Sequence, residues 1–239
     1  MTSLVWYAAF GSNMWRQRFM TYLVGGPVPH HSRNRHQLGA RDPSPPQAEG
    51  LLTIERPLVF AGRSRWWDGG GVAFLGSAHS TRTIIGGLPN PSEIDWDQHQ
   101  HRTVCRLWLI TAEQFVDVMA QENGLKPGES PTLDVEFSPA NPNQHFDIAP
   151  TAYGRLINLG SGPDGHSVFS FTTPSFSQRP LNNAHPTYLR VMGLGLMQGW
   201  GWSPQDAARY LASKPGNMGA TDIARLVHDL NHHRNEEAL

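Results

Sequence analysis

Apolar positions along the chain fall into two regimes. Over the first three-quarters they gather in short runs separated by turn residues, and in the last quarter they recur at helical spacing. The opening run, residues 4–10, is bounded by Gly11-Ser12-Asn13 and reads as a buried strand ending in a tight loop. Trp15, Phe19, Tyr22 and Leu23 then mark a helix, with Arg16, Gln17 and Arg18 on the rest of its surface. Residues 24–50 are rich in Pro, Gly, His and Arg without a period, the pattern of a long loop. Short strands are predicted at 51–54, 58–61 and 71–75, and an inserted polar loop over 76–100. Residues 103–110 return to β character, and 133–137, 153–159 and 168–172 complete about seven or eight strands. Pro186 opens a helix over 188–198, although Gly193 and Gly195 within it disfavour helix. Ser203-Pro204-Gln205-Asp206 is an N-cap with Pro at the first helical position. A final helix from Asp222 is expected to give way to a polar tail over 231–239. Strands first and helices last make an α+β chain. The expected organisation is one domain over residues 1–215, followed by a C-terminal helix and tail over 216–239.

The helix predicted after the 103–110 strand changes the picture. Thr111-Ala112-Glu113-Gln114 has the capping-box pattern, and Phe115, Val118 and Met119 form an apolar stripe. The next position of that stripe is Glu122, while Gln114, Asp117 and Gln121 share the opposite, solvated side. One carboxylate therefore stands on the inward face. Burial there raises a carboxyl pKa towards the range useful for proton transfer. The alternative is that Glu122, near the helix end, bends out to solvent or pairs with an arginine.

Composition narrows the chemistry. The 239 residues hold 19 basic and 20 acidic side chains, so no global field points to nucleic acid or an anionic membrane. No apolar run approaches the ~20 residues of a spanning helix, and the N-terminus lacks the features of a signal peptide. With one cysteine, Cys105, an internal disulfide is impossible. A soluble, cytoplasmic chain is the default expectation. Twelve histidines raise the question of a metal, but they lie mainly in polar loops and the tail, without a His-Glu-x-x-His helix. The expectation is no metal. Cys105, in an apolar strand, reads as a buried inert thiol. Ser12 lacks the Gly-x-Ser-x-Gly setting of a serine hydrolase. Gly193 to Gly199 misses the dinucleotide spacing. Trp66-Trp67 either lines a pocket or packs against the core.

A strand ending in Gly-Ser-Asn before a helix presents backbone N–H groups suited to a carboxylate or other anion, or else Ser12 or Asn13 merely caps the helix. Tyr7-Ala8-Ala9-Phe10-Gly11-Ser12-Asn13-Met14 resembles the N-terminal signature of the γ-glutamylcyclotransferase family, Tyr-x-Ala-Tyr-Gly-Ser-Asn-Leu/Met. Met119-Ala120-Gln121-Glu122-Asn123-Gly124 is similar to that family's catalytic-glutamate segment. Gly69-Gly70-Gly71-Val72-Ala73-Phe74 resembles its Gly-Gly strand, and His185-Pro186-Thr187-Tyr188-Leu189 its Pro-x-x-Tyr helix. The four segments occur in the family's order over residues 4–212.

This resemblance implies a small mixed β-barrel flanked by helices. It also implies a cofactor-independent release of 5-oxoproline and a free amine from a small-molecule γ-glutamyl substrate. Tyr7, Phe10, Gly11, Ser12 and Asn13 would bind that substrate, and Glu122 would serve as general acid/base. Phe10 replaces the family's second tyrosine and removes any hydroxyl contact from that position. A non-catalytic binding module of the same fold, and an amide hydrolase in which water attacks, are the alternatives. The amine portion of the substrate and the oligomeric state are not encoded in these motifs.

Overall fold

The computed structural model describes residues 3–31, 34–78, 83–85, 91–96, 98–129, 137–138, 140–217, 219 and 221–236. Residues 133–136 of the strand expected at 133–137, and part of the 76–100 insertion, lie outside the described residues.

Strand β1 (Leu4–Ala9) leads through a single 3₁₀ turn at Ser12–Met14 into α1 (Arg16–Val24). Residues 24–50, expected as loop, contain the short pair β2 (Gly26–Pro27) and β3 (His36–Gln37) and the start of β4 (Ala48–Ile54). Next come β5 (Leu58–Ala61), β6 (Val72–Leu75), β7 (Thr83–Ile85) and β8 (Thr103–Thr111). Helix α2 (Ala112–Glu122) follows β8 directly, and β9 (His145–Asp147), β10 (Arg155–Ser161) and β11 (Ser167–Thr172) come after it. The chain ends in α3 (Pro186–Trp200), α4 (Pro204–Ala212) and α5 (Ile223–Glu236). Helix α5 thus runs through the expected polar tail as far as Glu236. Its apolar positions Leu226 and Leu230 are buried, which carries the helix forward into polar sequence.

The seven-stranded sheet has the order β7-β4-β8-β1-β11-β10-β9. β1 is antiparallel to β8 and parallel to β11, so the strand that feeds the turn sits mid-sheet. Every residue of β8 is buried, and the core gathers around Trp108, Phe19, Phe115 and Phe169. The structure is α+β, but the expected barrel is not closed. The edge strands β7 and β9 do not pair among the described residues, and β5–β6 form a separate two-stranded sheet. The separate β5–β6 sheet is tied to β11 by a threonine side chain. Thr172 Oγ1 accepts from Leu75 N at 2.9 Å and donates to Leu75 O at 3.1 Å.

The capping box of α2 is present: Thr111 Oγ1 accepts from Gln114 N at 3.1 Å, and Gln114 Oε1 accepts from Thr111 N at 3.0 Å. The expected solvated face of α2 is a correction. Gln114 is 1% exposed and Asp117 0%. Gln114 Nε2 donates to the carbonyls of Asp42 and Ser44. Asp117 accepts from the backbone N–H groups of Arg41 and Gly128, each at 2.9 Å. Segments packed over that face supply donors and acceptors, so polar residues are satisfied inside. The two glycines of α3 likewise mark contact rather than weakness. A Cβ at Gly195 would lie 2.7 Å from both Met14 Cβ and Trp15 N, and one at Gly193 2.8 Å from Leu230. Helix α3 thereby lies directly on the turn at Ser12–Met14.

Candidate functional site

The turn after β1 is held from three sides. Trp108 Nε1 donates to Asn13 O at 2.9 Å, Arg106 Nη1 donates to Met14 O at 3.0 Å, and α3 covers it at Gly195. Neither Ser12 nor Asn13 caps α1: Trp15 occupies the N-cap position, with no side-chain cap bond. The backbone of Gly11 to Trp15 closes its own 3₁₀ turn instead, with Met14 N donating to Gly11 O and Trp15 N to Ser12 O. That frees the Asn13 side chain to point across the sheet.

It points at Glu122. Asn13 Nδ2 donates to Glu122 Oε1 at 2.8 Å and to the Tyr7 hydroxyl at 3.2 Å. Glu122 is the last residue of α2 and is half-buried, so it neither turns out to open solvent nor pairs with an arginine among the described residues. The helix end is fixed by the next residue. Asn123 Oδ1 accepts from Tyr153 N at 3.0 Å, and Asn123 Nδ2 donates to Met119 O and Tyr153 O.

Tyr7, Phe10, Gly11, Ser12, Asn13 and Glu122 line one cavity of about 200 Å³. Their carbons and polar atoms come from β1, the turn and the end of α2, elements separated by a hundred residues in sequence. Three more phenols, Tyr22, Tyr153 and Tyr188, join Tyr7 in the lining. Burial pushes each well above the usual tyrosine range, and the Glu122 charge pushes in the same direction. They are therefore neutral hydrogen-bonding groups at any physiological pH. Gly11 is needed because a Cβ there would sit 2.9 Å from the Tyr188 hydroxyl, which itself accepts from Ala73 N at 3.3 Å. Gly70 and Gly71 are required for a similar reason, since a Cβ on either would collide with the backbone of His185 or Asn182. Trp66 and Trp67 both line the cavity, and Trp67 packs on Tyr188 with ring centroids 4.8 Å apart.

The sequence reading missed Arg18, Tyr22, Tyr153 and Arg179, which also line this cavity. Arg18 was expected on the surface of α1 and is 2% exposed. The available signal was Tyr22, three to four residues beyond Arg18 on the same helical face, offering a hydroxyl and a ring. No group of three or more His, Cys, Asp or Glu suited to a metal occurs among the described residues. No helix among them is long and apolar enough to cross a membrane.

No family model matches the chain. A curated relative, Histone deacetylase 5 of Arabidopsis thaliana, is 32% identical over 225 residues, covering 88% of this chain. The chain spans 31% of that relative's length. A solved structure described as a gamma-glutamyl cyclotransferase matches with 11% identity and a TM-score of 0.44, over 95% of this chain and 99% of the other. A yeast gamma-glutamyl cyclotransferase described as specific to glutathione matches with 11% identity and a TM-score of 0.31, over 98% of each chain. Similarity at that level leaves the chemistry to be read from the site's own residues.

Proposed function

We propose that this chain is a γ-glutamylcyclotransferase-type enzyme, with Glu122 as general acid/base and the Gly11-Ser12-Asn13 turn as the substrate cradle. The observation that carries this reading is the 2.8 Å bond from Asn13 to Glu122 inside a cavity ringed by neutral phenols. An oriented carboxylate in such a setting suits proton transfer to and from nitrogen. In the reaction, Glu122 takes a proton from the substrate's α-ammonium, and the freed amine attacks the γ-carbonyl carbon. The bond to the leaving nitrogen then breaks as Glu122 returns the proton to it, the ring nitrogen gives up its second proton through Glu122 to the departing amine, and 5-oxoproline and a protonated amine depart. Ring closure within one substrate gains from being held folded, so shape contributes much of the rate. The N–H groups that the turn's own 3₁₀ bonds leave over support the developing oxyanion.

The name of the curated relative describes a protein about three times as long, and no residue in this cavity favours a deacetylase reading. The test is a panel of γ-glutamyl compounds, with an acetyl-lysine peptide included, assayed for 5-oxoproline, glutamate and acetate by mass spectrometry. Formation of 5-oxoproline by the wild type, reduced roughly 10²–10⁴-fold in Glu122→Gln, is the expected outcome. Full turnover by folded Glu122→Gln protein would overturn the mechanism. Glutamate in place of 5-oxoproline would move the assignment to a hydrolase, and binding without product to a ligand-binding module.

A further inference from the structure

The guanidinium of Arg18 has no use in the chemistry above. It is 2% exposed, and among the described residues no carboxylate forms an ion pair with it. Nη1 donates to Thr21 Oγ1 at 2.9 Å and Nη2 to the Tyr22 hydroxyl at 2.8 Å, both neutral acceptors. Nε is buried without a partner. Among the described residues its further support is aromatic: the guanidinium carbon lies 4.3 Å from the Tyr22 ring centroid and 5.9 Å from that of Trp66. A buried cation without a counter-charge is costly, and cation–π contact offsets only part of that cost. A ligand carboxylate in this cavity would give the guanidinium the direct charge partner it lacks among the described residues.

Arg18 lines the same cavity as Glu122. The two charges also converge on the same tyrosines, since the hydroxyls of Tyr22 and Tyr188 each feel both Arg18 and Glu122. A cation and an anion that line one cavity, the cation bonded to the Tyr22 hydroxyl at 2.8 Å, match a head group carrying both charges on one carbon. We propose that Arg18 binds the α-carboxylate of a zwitterionic α-amino-acid head while Glu122 faces its α-ammonium. The head group's attachment to a γ-glutamyl chain rests on the function proposed above; the pairing of Arg18 with a carboxylate does not.

The test compares γ-glutamyl-alanine with 4-aminobutyryl-alanine, the same chain without its α-carboxylate. Both are titrated by calorimetry into wild-type and Glu122→Gln protein, with 5-oxoproline assayed in the same samples. The Glu122→Gln protein is expected to prefer γ-glutamyl-alanine by roughly 10- to 100-fold, the range of a lost charge-assisted hydrogen bond. Arg18→Met in that background brings the two affinities together, Arg18→Lys restores part of the preference, and Arg179→Gln leaves it unchanged. A structural role for Arg18 alone would weaken both ligands equally and keep their ratio. That result, a preference carried by Arg179, or no carboxylate preference in the parent protein would overturn the proposal, and the last two need no folded Arg18→Met protein. Carboxylate-dependent binding with no 5-oxoproline from the wild type would remove the cyclotransfer reading and leave Arg18 as the anion partner.

Discussion

Asn13 reaches two oxygens with one amide nitrogen, and the more important is on Glu122. Asn13→Ala should lower kcat by roughly 10-fold or more, with a smaller change in KM, because the carboxylate loses its orienting donor. Steady-state kinetics would decide, and an unchanged kcat would separate Asn13 from the chemistry. Cys105 makes a contrasting prediction. It is fully buried, and burial pushes its thiol well above the usual cysteine range. Thiol alkylation at pH 8 should therefore follow global unfolding, and fast labelling of the native protein would contradict the packing of β8. At this scale the turn and Glu122 were readable because each interrupts a regular pattern. Arg18 was not, because Arg16-Gln17-Arg18 looks like an ordinary solvent face. Its cover comes in part from Trp66, nearly fifty residues away, which no local periodicity encodes.

Among the elements, α3 and α2 carry the sharpest tests. Gly195→Ala should destabilise by about 1–3 kcal/mol, since its methyl meets the backbone of the 3₁₀ turn rather than a movable side chain. Gly193→Ala should cost less, because the opposing atoms are the tips of Leu230. Urea denaturation of both variants checks the order, and activity should fall with Gly195→Ala alone. Asp117→Ala should cost about 2–3 kcal/mol, as it strands two backbone donors and the Arg41 guanidinium. The capping box of α2 was legible because it is local. The burial of its polar face was not, because the covering segments join α2 only in three dimensions.

For the whole molecule, the α+β order of strands and then helices could be read from the change of period along the chain, whereas closure of the sheet could not. Whether a sheet closes depends on a ladder between distant edges, and β7 and β9 make none among the described residues. The division at residue 215 remains our proposal, and the packing beside it makes a prediction. Asn217 is fully buried and its Oδ1 accepts from Ala184 N at 2.9 Å, while Phe60 N donates to Pro215 O at 2.8 Å. Chains ended after residue 221 or after 215 both lose α5 with its buried Leu226 and Leu230, and the one ended after 215 should melt at the lower temperature and bind more weakly. Equal melting of the two by calorimetry would show that this strap contributes nothing.

The central place of β1 also has a consequence for the order of events during synthesis. Its partners are β8, about a hundred residues later, and β11, whose Ser170 hydroxyl bonds Ala8 O across 162 residues. As the chain leaves the ribosome, the apolar strand and the turn behind it emerge about a hundred residues before β8 and still further before β11, and wait for both before they can be paired. Contacts this distant in sequence slow folding and leave β-forming segments open to wrong partners. The cradle is thus made well before the strands that complete it, and nascent chains stopped short of β11 should bind chaperones rather than substrate.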